Sequence, residues 1–198
     1  MTNELSLVVE KKLRQIILTD LINQSFGRLY KYHLELMLSW LKLLVGELRL
    51  SKSITKILFT AAYGYHWGCG NLFSLEHAHP TNPTQHLSSC FELAAVKIER
   101  FAYYHFSKFF SQHELLSLAS LIQEQAVLDS GTKNNEMATL LWEASVLAWF
   151  ELIQFSEEME VGKKERRIIG QVNRDQFLEQ KDKFYHQVSK QAFSSLLA

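Results

Sequence analysis

The chain has 198 residues, of which 47% are hydrophobic and 21% charged, and its 21 basic and 21 acidic side chains cancel to a formal net charge of zero. A chain of that length buries roughly 70% of its unfolded surface in one domain, and the composition excludes large-scale disorder. The charge balance excludes a global electrostatic footprint for nucleic acid or an anionic membrane, leaving only local patches.

Two cysteines give no disulfide framework, and Met1-Thr2-Asn3-Glu4 is not the basic-then-apolar opening of a secretory signal. A reducing cytoplasm is therefore expected. The greasiest stretch, Leu34 to Val45, is shorter than the roughly 20 apolar residues a membrane span needs. It carries Lys42 inside and is flanked by Glu47, so it predicts a buried helix and no span.

In chain order, Leu5, Val8, Val9, Leu13, Ile16, Ile17 and Leu21 recur at three-and-four spacing and predict an amphipathic first helix. After Ser25 and Gly27 the pattern resumes with Leu29, His33, Leu36, Met37, Trp40, Leu41, Leu44 and Leu48. Leu34, Leu38 and Val45 widen that stripe, which predicts a central position for this second helix. A third helix starts near Ser53, buries Ile54, Ile57, Leu58, Ala61, Ala62 and Tyr65, and ends between Gly64 and Gly70.

The stretch from Tyr63 to Cys90 interrupts this regularity. It holds four of the eight histidines, both cysteines, both prolines and three of the eight glycines. Beyond it, Ser89 and Glu92 have the spacing of a capping box, followed by a stripe of Phe91, Ala94, Ala95, Ile98, Ala102, His105 and Phe109. On this register Arg100, Tyr103, Tyr104 and Phe110 lie off the stripe and face outward. Ser111 and Glu114 form a second box, opening a helix with Leu115, Leu118, Ile122 and Ala126 inward.

From about Asn134 a second central helix carries Met137, Leu141, Ala144, Ala148, Leu152, Phe155 and Met159, with Trp142, Val146, Trp149, Phe150 and Ile153 on its other sides. Glu157 to Arg167 is a charged hinge. Asn173 with Gln176 predicts the start of a last helix containing Phe177, Phe184, Val188 and Ala192. No alternating strand pattern and no internal repeat occurs. The expected architecture is an all-α bundle of six or seven helices with an irregular His/Cys/Gly/Pro connection in the middle. Residues 1–161 form its core, and residues 162–198 form the hinge and a helix packing on the same domain.

The central stretch contains the first candidate site. His66 and Cys69 are three residues apart, Glu76 and His79 three apart, and His86 and Cys90 four apart, so each pair can face one way from a helical turn. His66, Cys69, His86 and Cys90 would supply the four ligands of a tetrahedral zinc ion. A di-iron carboxylate site would use Glu76 and His79 with Glu92, Glu99, Glu143 and Glu151 from the flanking helices.

Arg-x-x-x-x-His occurs twice, as Arg28 to His33 and as Arg100 to His105. The spacing resembles the short signature of the HEPN ribonucleases, helical domains in which Arg and His act on an RNA phosphodiester, commonly across a dimer. The resemblance implies catalytic roles for Arg100 and His105, although Leu29 and Phe101 stand where that family often has a polar residue. Five residues of regular helix set the two side chains roughly 140° apart, so a shared pocket needs a distorted helix or a second chain. Glu157-x-x-Glu160 and Glu179-x-x-Asp182 resemble the paired acids of MazG-like nucleotide pyrophosphohydrolases, which hold Mg²⁺.

The remaining feature is an excess of aromatic residues. Phe101, Tyr103, Tyr104, Phe106, Phe109 and Phe110 crowd one segment, more than a single stripe can bury, which favours an interface. The function expected from the sequence is a helical interaction or assembly subunit, self-associating or bound to a protein partner.

Overall fold

The computed structural model describes residues 7–23, 27–67, 83–125, 135–155 and 178–197, together with residues 162, 163, 166 and 169. The protein is an all-α bundle, and no strand occurs among the described residues. The first helix is α1 (Leu7–Leu13), which continues through a π-turn (Arg14–Leu18) into a final turn, α2 (Thr19–Ile22). Four i,i+4 residues, Val9, Leu13, Ile17 and Leu21, form its buried stripe, as amphipathic spacing requires.

Gly27 opens α3 (Gly27–Glu47) against the end of α2. A Cβ there would fall 1.8 Å from the Leu21 carbonyl oxygen, so only glycine permits the approach. α3 buries Leu29, His33, Leu34, Met37, Leu41 and Leu44, but Ser39, Lys42, Leu43 and Gly46 reach the surface. It is thus a one-sided helix and does not take the central position its apolar content suggests.

The position belongs to α4 (Lys52–Gly64), which packs on α3, α5 (Pro83–Phe106), α6 (Gln112–Gln123) and α7 (Glu136–Gln154). Every residue from Ile57 to Trp67 is buried, including Thr60 and His66. Small residues explain how one helix meets so many neighbours. At Gly64 an added Cβ would lie 2.9 Å from both Ile98 Cβ and Cγ1 and 3.1 Å from Ile122 Cδ1, so α5 and α6 close directly on the backbone. α7 is the second central helix, with every residue from Ala138 to Ala148 buried.

Side-chain caps set the helix starts. The Ser51 hydroxyl accepts from the Ile54 N–H at 3.3 Å and caps α4, whose first residue, Lys52, lies one position before the expected Ser53. Ser111 and Glu114 form the expected reciprocal box on α6. Asn135 accepts from the N–H groups of Met137 and Ala138 and starts α7. Such caps satisfy amides that the first helical turn leaves without partners. Ser89 and Glu92 do not act this way, because α5 begins earlier, at Pro83, and Ser89 lies inside it.

The inward register of α5 differs from the expected stripe. Phe91, Ala94, Ala95, Ile98 and Ala102 are buried, but the seam continues through Phe101, Phe106 and Phe110, while His105 and Phe109 are exposed. The expected positions recur every 3.5 residues, whereas a straight α-helix turns every 3.6, so such a stripe drifts about 20° per heptad. Two heptads move His105 off the buried face and bring Phe106 onto it.

The C-terminal segment is also broken where one helix was expected. A 3-10 turn (Glu179–Lys183) leads to an extended Phe184 and then to α8 (Gln187–Leu197). The Phe184 ring lies 5.8 Å from that of Trp142, and the Phe193 ring of α8 lies 4.6 Å from that of Phe150, so the C-terminal segment packs on α7 through two aromatic anchors.

Candidate functional site

The described residues place three polar or aromatic features where function could reside. The first is a hydrogen-bonded relay inside the bundle. His33 of α3 and His66, just beyond α4, lie inside the bundle at 0% and 6% exposure. The 2.7 Å bond between His66 Nε2 and His33 Nδ1, and the 3.0 Å bond between His33 Nε2 and the Ser145 carbonyl of α7, fix both tautomers. A carbonyl only accepts, so His33 Nε2 carries the proton and Nδ1 the lone pair. His66 must therefore donate from Nε2. Ser145 Oγ donates to the Tyr65 hydroxyl at 3.1 Å.

Aromatic rings enclose the relay. Tyr30 stacks on His66 with centroids 4.5 Å apart, and Trp149 lies 4.3 Å from the His33 ring. Desolvation pushes His33 down to about 3, against the opposing hydrogen bond to Ser145, and pushes His66 well below the ordinary histidine value with help from His33. A neutral ring with so low a proton affinity is a poor general base near pH 7. What the relay does is tie α3, α4 and α7 together with buried bonds that satisfy the Ser145 carbonyl and both nitrogens of His33.

The second feature is a carboxylate buried on α7. Glu143 is 0% exposed and accepts four bonds from the C-terminal segment. Its Oε1 takes the N–H groups of Tyr185 and His186, at 2.5 and 3.0 Å, and its Oε2 takes Ser189 Oγ and His186 Nδ1, at 2.6 and 2.7 Å. That pattern saturates a buried charge and docks the start of α8.

The third feature is the outer face of α5. Leu93, Val96, Tyr103 and Tyr104 are 43%, 39%, 61% and 77% exposed. At 100° per residue they share one stripe with the exposed Arg100, and the two tyrosine rings meet edge to face at 5.5 Å. A cleft of about 300 Å³ between α1, α3 and α4 is lined by Glu10, Arg14, Glu35, Leu38, Ser39, Lys42 and Phe59. Its acids are already engaged, Glu10 with Arg14 and the Tyr63 hydroxyl and Glu35 with Lys31.

Of the zinc-type set, His66 faces His33, and Cys90 is buried at 1% exposure on α5. Cys69, Glu76 and His79 lie outside the described residues, as does the side chain of His86. Among the described residues no group of three or more His, Cys, Asp or Glu is placed to hold a metal ion. The di-iron candidates on α7 are spoken for, Glu143 by α8 and Glu151 by the Trp40 indole N–H at 2.7 Å.

The two Arg-x-x-x-x-His pairs part company as the helical angle requires. Arg28 is exposed while His33 is fully buried, and Arg100 and His105 are both exposed, with the His105 ring 4.7 Å from Phe101. Glu179 and Asp182 are exposed, and Glu157 and Glu160 lie outside the described residues. The sequence pointed to neither the His33–His66 relay nor the Glu143–His186 bond, because their partners lie 33 and 43 residues apart. The one available signal was a histidine, His33, within an apolar stripe.

No protein-family model, curated protein or solved structure matches this chain. Among the described residues no helix is long and apolar enough to cross a membrane.

Proposed function

We propose that the protein is a helical assembly subunit that self-associates through the outer face of α5. The observation that carries this reading is the contiguous exposure of Leu93, Val96, Tyr103 and Tyr104 around Arg100. Tyrosine and arginine are enriched at the centres of interfaces, where a rigid ring adds contact area at small entropic cost.

A second copy is the occupant this stripe fits best, because the stripe is self-complementary. In an antiparallel pair of α5 helices crossing near Ile98, Leu93 meets the partner's Tyr103 and Val96 meets the partner's Arg100. The same patch then serves both chains, as two-fold symmetry demands.

The alternatives have less to rest on. A ribonuclease site would need Arg and His convergent in one pocket, and a zinc site would need His66 released from His33.

Sedimentation velocity over a concentration series tests the proposal. A reversible dimer that Tyr104→Ala and Leu93→Lys shift toward monomer supports it, and a monomer at every concentration overturns it.

A further inference from the structure

His186 presents an acceptor problem that its surroundings solve in one way. Its Nδ1 faces Glu143 Oε2 at 2.7 Å, and that oxygen is a carboxylate already taking the Ser189 hydroxyl. The proton in the bond must therefore reside on Nδ1. In a neutral ring, Nε2 then carries a lone pair. This Nε2 is buried with no hydrogen-bond partner among the described residues, and the Glu136 carboxylate places its Oε1 3.6 Å away. The buried Glu143 carboxylate lies 2.7 Å from Nδ1, and a lone pair turned toward the Glu136 carboxylate, whose side chain is 75% exposed, is unfavourable, so the arrangement favours positive charge on the ring.

We infer that a proton occupies this gap, so that His186 is held as an imidazolium clamped between Glu143 and Glu136, and that α8 docks on α7 through the resulting charge triad. Glu143 and Glu136 lie two turns apart on one face of α7, which is how a single ring can face both.

Other ionisable groups do not compete. α3 also packs on α8 and carries Arg28, Lys31, Tyr32, His33, Glu35, Lys42 and Glu47, while the C-terminal segment itself carries Glu179, Asp182, Lys183, Tyr185 and Lys190. The proton affinity of the ring is raised first by the Glu143 hydrogen bond, against desolvation, and is raised further by the Glu143 charge and by Glu136; no other described group acts on it.

The consequence is a proton-dependent attachment of the C-terminal helix. A histidine whose folded pKa lies above its unfolded value stabilises the fold fully below that unfolded value, 6.5. This contribution is lost as pH rises through the folded pKa. α8 is therefore held most firmly in mild acid and loosens on alkalinisation.

Long-range ¹H–¹⁵N correlation of the histidine rings tests this, with His186 assigned from the spectrum of His186→Gln. The expected result is an imidazolium that converts to the Nδ1–H tautomer with a midpoint above the ordinary 6.5. In Glu136→Gln, an exposed substitution that leaves the fold intact, that conversion should move to lower pH. A His186 midpoint at or below 6.5 overturns the proposal, as does an unchanged midpoint in Glu136→Gln. A His186 signal that shifts with added Zn²⁺ and returns with EDTA, while the metal-free ring is neutral, assigns the gap to a metal ion and overturns it as well.

Discussion

His66 donates from Nε2 to His33 Nδ1 across 2.7 Å, and through that bond the end of α4 is fastened to α3 and onward to the Ser145 carbonyl of α7. Two consecutive helices, α3 and α4, are held to the remote α7 at one polar point inside a largely apolar core. Such a point fixes the relative depth of the helices, because sliding any one of them by a turn would strand a buried donor or acceptor.

His33→Ala should therefore cost more than a cavity alone. The substitution removes a fully buried ring packed 4.3 Å from Trp149 and leaves the His66 N–H without its acceptor. Cavity and lost bond together predict a loss of about 3 to 5 kcal/mol in urea unfolding. His66→Phe keeps the stack on Tyr30 and should cost less, about 1 to 2 kcal/mol.

The same pair predicts acid sensitivity. The folded pKa of His33 is about 3 against 6.5 for the free group, and that of His66 is lowered too, so the folded state binds fewer protons than the unfolded chain. Stability from these rings is present above the unfolded value and is lost as pH falls from 6.5 toward 3. His33 contributes a slope of up to about 1.4 kcal/mol per pH unit in that window, and His66 acts in the same direction. Urea midpoints measured from pH 8 to pH 4 should decline steeply, and a folded variant lacking His33 should show a shallower decline.

Glu143→Ala tests the docking of α8. Four donors, two of them backbone amides, lose their acceptor at once. The expected cost is about 3 to 5 kcal/mol, concentrated in the C-terminal segment. The amides of Tyr185 and His186 should lose hydrogen-exchange protection while those in the middle of α7 keep it.

How much of this was legible depended on sequence distance. Ser111 and Glu114 announce a cap because the interaction is three residues long, and the buried set Val9, Leu13, Ile17 and Leu21 follows from periodicity alone. The α5 register was lost at His105, where a 3.5-residue repeat and a 3.6-residue helix had drifted apart. The break at Phe184 was hidden for another reason. The residue is apolar and buried as expected, but its extended backbone is set by α7, whose Glu143 captures the next two amides. The His33–His66 bond belongs wholly to tertiary structure. A histidine in an apolar stripe shows that a partner is needed and not which partner it is.

Gly64→Ala opposes two effects of known size. On propensity alone the change should favour α4 by about 1 kcal/mol. The added Cβ, however, would meet Ile98 Cβ and Cγ1 at 2.9 Å, and Ile98 Cβ is too close to its own backbone to swing aside. Overpacking of this kind costs about 1 to 3 kcal/mol, so the net effect should be destabilising. A thermal midpoint above that of the wild-type protein would contradict the close approach of α4 and α5.

Tyr104 and Phe110, six residues apart, should respond in opposite ways when truncated. Tyr104 is 77% exposed beside Tyr103, whereas Phe110 is 5% exposed, with the Lys56 ammonium 4.6 Å from its ring centre. Lys56 is itself fixed by Glu114 at 2.7 Å and by the Phe109 carbonyl at 2.6 Å, so Phe110 belongs to the joint between α4 and α6. Phe110→Ala should lower unfolding stability by about 3 to 5 kcal/mol. Tyr104→Ala should leave stability within about 0.5 kcal/mol and weaken dimerisation by about 1 to 3 kcal/mol, a roughly 5- to 150-fold rise in the dimer dissociation constant. Sedimentation and urea unfolding on the same two variants separate the outcomes. Stability lost in Tyr104→Ala, with association unchanged, would place that ring in the fold and remove it from the interface.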